Sequence, residues 1–293
     1  MEKITIVLFG HFRFCDDYLV YLRHLLFSLP NELKECKFLI VYDTDNGKID
    51  KSKMSDLESY FLNRTEKLEY EIKYSKLGLI DSLNIALKNI KTDYFIFLEY
   101  DWVFLEKDRI DFKGLINCFE KYPFVNSVWF NAYFNNKTLH EYAPNDINFN
   151  ETYFGLEEKI KDFNLTNTIR FLNSPSIHRT KQYLKWYSDY MDIFNGVING
   201  NLPDQQGHYG SNGVEEVMIK YIRDLVHEND YNDVRYQIGT YLYGKPGDSP
   251  ITAHADGTKK KFDNPLNSQF KKKSLSEING DYYIMTHDLP END

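Results

Sequence analysis

The sequence predicts an α/β fold of three layers, a mainly parallel sheet held between two layers of helices. Three observations carry this. Two continuous apolar runs, ITIVLFG (4 to 10) and KFLIVYD (37 to 43), suit strands covered on both faces. The stretch between them repeats leucine at helical spacing. Strand-like and helix-like text then continues to alternate through the first hundred residues, as right-handed β-α-β crossovers require.

Each element has its own justification. DDYLVYLRHLLFSLP places Leu19, Leu22, Leu25, Leu26 and Leu29 on one helical stripe, with Asp16 or Asp17 as the start and Pro30 as the stop. Met54 to Leu62 reads as a helix, KLEYEIKYS (67 to 75) as an alternating strand, and LGLIDSLNIALKNI (77 to 90) as an amphipathic helix. DYFIFLEYDWVFLE (93 to 106) is a fourth strand that runs through Tyr94 to Leu98 and then meets Glu99, Tyr100 and Asp101. Beyond it the text is more mixed. NSVWFNAYF (126 to 134) is strand-like, TKQYLKWYSDYMDIF (180 to 194) helix-like, and 195 to 213 a Gly/Asn-rich loop. A helix over about 213 to 226, a strand RYQIGTYLYG (235 to 244) and a polar tail with Lys259 to Lys261 and Lys271 to Lys273 complete the chain.

Composition bounds the function. A length of 293 residues fits one large or two modest domains, and 42% hydrophobic with 27% charged residues is the balance of a globular protein. A formal net charge of -9 argues against non-specific nucleic-acid binding, which needs a basic face. Cys15, Cys36 and Cys118 are odd in number and scattered, which suits a reducing compartment. The run Ile4 to Phe9 is too short for a signal segment, and no stretch approaches the ~18 apolar residues of a membrane span. The expectation is a soluble, cytoplasmic protein without a transmembrane segment, with peripheral membrane contact left open.

Several residues are candidates for chemistry, each beside a plainer reading. In a continuing strand Glu99 and Asp101 share a face while Tyr100 turns aside. Two carboxylates on one face suit magnesium or manganese bridging phosphate oxygens, or are simply a solvated strand end. Asp43, followed by Thr44, Asp45, Asn46 and Gly47, is placed to bond a ribose or base, or belongs to a turn. In SNGVEEVMIKYIRDLV (211 to 226), Asn212 with Glu215 forms a capping box, which leaves Glu216 free to act as a base. His254, in the polar text PITAHADGTKKK, is a metal ligand or a surface loop residue. Arg13 and the lysines around Lys259 suit phosphate or solvent. Aromatics are 16% of the chain, and Trp129, Tyr133, Phe134, Trp186 and Tyr209 are candidates to stack on sugar faces, although most aromatics must be core.

Together these pieces resemble a GT-A fold glycosyltransferase, closest to the family 2 type. LGLIDSLNIALKNIKTDYFIFLEYDWVF looks like that family's helix and strand leading into its DxD motif, here Glu99, Tyr100, Asp101. Asp43 matches the aspartate that contacts the nucleoside, Glu215-Glu216 the acidic pair that supplies the base, and His254 a late metal-binding histidine. The resemblance implies a single GT-A (nucleotide-diphospho-sugar transferase) domain over 1–293. Residues 1–105 are its nucleotide-binding half, 106–245 its acceptor half and 246–293 a tail or lid. It also implies Mn2+ or Mg2+ held by Asp101, Glu99 and His254, and a nucleotide-diphosphate sugar donor, expected to be a UDP-sugar, bound through Arg13, Asp43, Glu99 and Lys259. A glycan or other hydroxyl acceptor would lie against Trp129, Tyr209 and His178, and transfer would proceed with inversion. Glu stands where the motif usually begins with Asp, so Asp101 is the firmer metal ligand. No QxxRW-like signature is present, which disfavours processive polymer synthesis.

Two other classes fit less of the chain. FLIVYDTDNG sets Asp43 and Asp45 after a buried strand as haloacid-dehalogenase-like phosphatases do, but their nucleophilic strand normally opens the domain. A non-catalytic carbohydrate-binding protein would keep the sheet and lose the chemistry.

Overall fold

The computed structural model describes residues 2–11, 18–44, 51–62, 68–76, 78–130, 161–168, 174–189, 225, 236–245, 248–254, 270–271 and 286–287. In chain order they form β1 (Ile4–His11), α1 (Tyr18–Ser28), β2 (Lys37–Asp43), α2 (Lys51–Leu62), β3 (Tyr70–Ser75) and α3 (Gly78–Asn89). There follow β4 (Tyr94–Glu99), β5 (Trp102–Phe104), α4 (Phe112–Lys121), β6 (Ser127–Trp129), β7 (Leu165–Thr168) and β8 (Ser176–Arg179). The chain continues with α5 (Thr180–Asp189), β9 (Thr240–Tyr243) and β10 (Thr252–His254), and β11 (Phe270–Lys271) pairs antiparallel with β12 (Thr286–His287).

Eight strands make one sheet in the order β3-β2-β1-β4-β8-β6-β9-β7. The first four are mutually parallel, because each is reached by a helical crossover. β8 runs antiparallel to both β4 and β6, β9 parallel to β6, and β7 antiparallel to β9. The α/β class and mainly parallel sheet expected from the sequence are thus observed, with the antiparallel pairings confined to the later strands.

Strand alternation sorts the core into two faces. Ile4, Ile6, Leu8, Phe38, Ile40, Ile96 and Leu98 cluster with Leu22, Leu25, Leu26 and Leu29 of α1, Leu57 and Phe61 of α2, and Phe112, Leu115 and Phe119 of α4. Each such leucine, fully buried, contributes about 2 kcal/mol. Val7, Leu39, Val41, Phe95 and Phe97 point the other way and are also buried. That face is covered by α3, which buries Ile80, Leu83, Ala86 and Leu87, and by α5, whose Tyr183 meets Phe95 edge-on at 5.1 Å. Helices on both sides explain why these strands read as unbroken apolar runs.

β3, at one end of the strand order, is half-buried and carries charge. Lys73 bonds Glu71 at 2.7 Å, and Lys37 on β2 lies 3.6 Å from Glu71 and 3.7 Å from Glu69. The Lys73 hydrogen bond, ahead of other causes, holds the Glu71 carboxyl below the usual range.

Several elements differ from the sequence reading. β4 ends at Glu99, and Tyr100-Asp101 form a turn before β5, so the fourth strand is not continuous through residue 106. The stretch 235–244 is not one strand: residues 236–238 are helical, Gly239 has φ +60°, and β9 begins at Thr240. Gly239 is required there, because a Cβ would run into the Phe124 carbonyl. Its carbonyl accepts from the Asn126 and Ser127 amides at 2.8 and 3.1 Å, and Asn126 Nδ2 donates to the Gln237 and Ile238 carbonyls. Of the helix expected over 213–226 only Leu225 is described, and residues 131–134 of the strand expected over 126–134 lie outside the described residues. No helix among the described residues is long and apolar enough to cross a membrane.

Candidate functional site

β2 and β3 lie to one side of β1, and β4 lies to the other, so the strand order reverses between β1 and β4. Open α/β sheets take ligands at such a reversal, beyond the carboxyl ends of the strands. Register puts Asp43 opposite His11 and Glu99 opposite Phe9. Asp43 and Glu99 therefore flank the end of β1 from the two neighbouring strands, and alternation places both on the sheet face covered by α3. Two strand spacings and a two-residue stagger separate their Cα atoms by roughly 12 Å. That is too far to share one ion, and it suits two ends of one elongated ligand.

The Asp43 end is held by a chain of hydroxyls. Asp43 itself is 5% exposed. Thr44 donates to the Ser75 carbonyl through Oγ1 at 2.6 Å and through its amide at 3.0 Å. Ser75 Oγ reaches the Tyr42 carbonyl at 3.3 Å and Ser82 Oγ at 2.5 Å, and Ser82 also donates to the Gly78 carbonyl. These bonds tie the ends of β2 and β3 to the start of α3, so the backbone around Asp43 has little freedom. The Tyr42 ring occupies the space beside Gly10, leaving no room for a Cβ on that residue of β1.

At the other end, the Tyr100 amide donates to the Phe9 carbonyl at 3.1 Å, the last ladder bond after β4. The Tyr100 side chain is buried and meets Tyr21 of α1 edge-on at 6.4 Å. Glu99 and Asp101 on either side are half-buried. The sequence reading aligned the two acids by strand alternation. The turn instead sets the place of Asp101, because the pleat stops at Glu99.

His254 is not in a loop. It ends β10, which pairs antiparallel with β5 so that residue 254 lies opposite Trp102, the neighbour of Asp101. The Cα atoms of Asp101 and His254 are thereby within roughly 9 Å. The pairing joins the two stretches that the resemblance assigns to one metal.

Among the described residues no group of three His, Cys, Asp or Glu side chains converges. Two half-buried carboxylates, Glu99 and Asp101, at the carboxyl edge of the sheet are nevertheless a donor set that magnesium and manganese use with phosphates and water. The residues present fit such an ion.

Trp129 and His178, expected to contact an acceptor, are 1% and 2% exposed. Both belong to the core beside the sheet, where sugar faces do not reach. Ser127 Oγ lies 2.7 Å from His178 Nδ1 and Ser176 Oγ 2.8 Å from Nε2. Because Ser176 gives its hydrogen to the Ser174 carbonyl, it accepts from Nε2–H, and Ser127 donates to Nδ1. Burial pushes the His178 pKa down to about 3, which keeps this ring neutral. Trp186 is buried as well. Arg13, Asp45, Tyr133, Phe134, Tyr209, Glu215, Glu216 and Lys259 lie outside the described residues.

No family model matches the chain, and no curated protein sequence matches it. Solved structures align at low similarity. S. aureus TarS has 11% identity and a TM-score of 0.43, over 86% of this chain and 60% of that one. The same protein in complex with UDP gives 12% identity with the same score and coverage. The mannosyltransferase PcManGT from Pyrobaculum calidifontis, in complex with GDP-Man and Mn2+, has 9% identity and a TM-score of 0.43, over 83% of this chain and 55% of that one. The chain thus spans little more than half the length of these proteins. A 4-diphosphocytidyl-2C-methyl-D-erythritol synthase from Anaerococcus prevotii aligns at 10% identity and a TM-score of 0.39, over 77% of this chain and 99% of that one.

Proposed function

We propose that this protein is a metal-dependent glycosyltransferase of the GT-A, family 2-like type. It moves a sugar from a nucleotide-diphosphate donor, a UDP-sugar in the first instance, to a hydroxyl of a glycan or other acceptor, with inversion. The observation that supports this most is the placement of acids at the carboxyl edge. Asp43 and Glu99 flank β1 where the strand order reverses, and Asp101 follows in the adjoining turn.

In this reading Asp43 bonds the nucleoside, and Asp101, Glu99 and His254 hold Mn2+ or Mg2+ about the diphosphate. Arg13 and Lys259 add positive charge to the phosphates. A bound divalent ion offsets the charge that develops on the leaving diphosphate. The acceptor oxygen bonds to the anomeric carbon as the bond to the diphosphate breaks, and the electron pair leaves on phosphate oxygen. Glu216, with Glu215 as capping partner, takes the acceptor's proton. The sugar passes through oxocarbenium character. Tyr209 serves the acceptor, and Trp129 and His178 support the sheet beneath it. A single domain in the cytoplasm completes the proposal. The buried thiols of Cys36 and Cys118, their pKa pushed up to about 12 by burial, accord with a reducing compartment.

The test is a melting series with UDP and GDP, each with and without Mn2+, followed by donor turnover. At a hundredfold excess over Kd a specific nucleotide adds about 2.7 kcal/mol, a Tm rise of roughly 5 °C, and Asp101→Asn removes its Mn2+-dependent part. Asp101→Asn also abolishes sugar transfer or donor hydrolysis, while Glu216→Gln keeps the nucleotide shift and stops transfer. Wild-type turnover in both variants would sink the assignment. Aryl phosphate hydrolysis without any nucleotide-sugar activity would point to the phosphatase alternative.

A further inference from the structure

The antiparallel pairing that brings residue 254 beside Asp101 is only three residues long. A ladder so short specifies its own register weakly, and a slip of one residue reverses which side each side chain takes. Two contacts secure β10 from within: Ile251 is buried in the core, and Thr252 Oγ1 donates to the Phe130 carbonyl at 3.1 Å. A second set secures it from outside, between the stretch after Asp101 and the stretch before His254.

Arg109 Nη1 donates to Glu106 Oε2 at 2.8 Å and to Ser249 Oγ at 2.7 Å. Ser249 Oγ in turn reaches Glu106 Oε1 at 3.3 Å, so the three side chains close a triangle. Asp248 adds a carboxylate 3.9 Å from Arg109 Nη2 and folds its own turn by accepting from the Lys245 amide at 2.7 Å. The Leu105 amide donates to the Ile251 carbonyl at 2.9 Å. Tyr243, at the end of β9, donates its hydroxyl to the Arg109 carbonyl at 2.9 Å and accepts from the Asp111 amide at 3.1 Å. The 3-10 turn Lys107–Arg109 is thus gripped on both its side chain and its backbone by the segment that leads into β10.

We infer that Arg109 is a positioning residue whose bonds to Glu106 and Ser249 set the register of β10 on β5 and so bring His254 to the metal held by Asp101. The inference rests on the proposed function, in which His254 is a ligand. A guanidinium suits the task because its planar fork serves a carboxylate and a hydroxyl at once, which a lysine ammonium does not do in fixed geometry. The triangle is partly exposed, so its worth to global stability is small, and its effect falls on local geometry.

The experiment is Mn2+ binding to the full chain, followed by electron paramagnetic resonance with detection of nitrogen coupling from imidazole. Wild type shows the nitrogen coupling and His254→Ala lacks it. Arg109→Gln keeps a Tm close to wild type, weakens Mn2+ binding about tenfold as loss of an outer-shell support does, and loses most of the coupling. Arg109→Lys recovers part of both. In Arg109→Gln the amides of residues 252–254 exchange faster while those of β1 and β4 do not change. Full nitrogen coupling and wild-type Mn2+ affinity in Arg109→Gln overturn the inference and leave the function standing. Wild type that takes up no Mn2+, or shows no coupling to lose, overturns the inference through the metal site on which it rests, and absence of Mn2+ uptake overturns the proposed function as well.

Discussion

His178 shows what a single side chain contributes when both its nitrogens are engaged in the dark of the core. Its folded pKa near 3 lies below the ordinary 6.5, so an unfolded chain binds a proton there that the native one refuses. The stabilising contribution is complete above about pH 6.5 and fades as the pH falls towards 3. At pH 5 the loss from this residue is on the order of 2 kcal/mol. His24, lowered to about 4 by burial in α1, adds a loss of the same sign. Urea unfolding at pH 7 and pH 5 measures the sum, and His178→Gln is expected to shrink the difference by its own share. A variant that keeps the whole difference would remove His178 from the account. Residue type misled the sequence reading at this position and at Trp129, because an imidazole or indole serves a ligand as well as a core, and burial is not written in either. Asp43 was legible for the opposite reason: an acid that stops five apolar residues marks where a buried strand reaches the edge.

Among the elements, α4 was not anticipated, and its start shows why. Asp111 caps it by accepting from the Gly114 amide at 2.8 Å, and Gly114 lacks the Cβ that would strike that carboxylate. A glycine in the first turn weakens the helical pattern in the sequence while it makes the cap possible. Asp111→Ala should cost about 1 kcal/mol. Gly114→Ala in the native background should change stability little, since the gain in helix propensity, about 1 kcal/mol, is offset by the displaced cap. In the Asp111→Ala background the same substitution should stabilise by about 1 kcal/mol, and unfolding midpoints of the four proteins decide it. Equal effects in both backgrounds would mean that the cap and the glycine are independent. β10 escaped notice for another reason: its partner β5 lies about 150 residues earlier, and only the pairing makes three residues a strand. The strand read over 235–244 failed at Gly239, a left-handed residue that stands between helical residues 236–238 and β9.

The molecule as a whole divides into a half that local text specifies and a half that it does not. β1 to β4 are joined by crossovers whose helices follow directly in sequence, so alternating periodicity revealed the elements and their parallel sense, though not their order in the sheet. β8, β6, β9 and β7 take their order from pairings between distant residues, which no window of the sequence contains. Hydrogen exchange should reflect the same division. The β1 amides, between two parallel neighbours and covered on both faces, should exchange slowest, while those of β3 and β7, at the ends of the strand order, exchange orders of magnitude faster. Slowest exchange in β7 would contradict the arrangement.

The charged outer strand has a consequence beyond this fold's interior. An open sheet border invites neighbouring molecules to append themselves backbone to backbone. Along β3 any newcomer would have to settle among Glu71 and Lys73, with Glu69 just before the strand, whose attractions to one another and to Lys37 already close within one molecule. At this border a second copy is thereby discouraged, although the sheet never closes on itself.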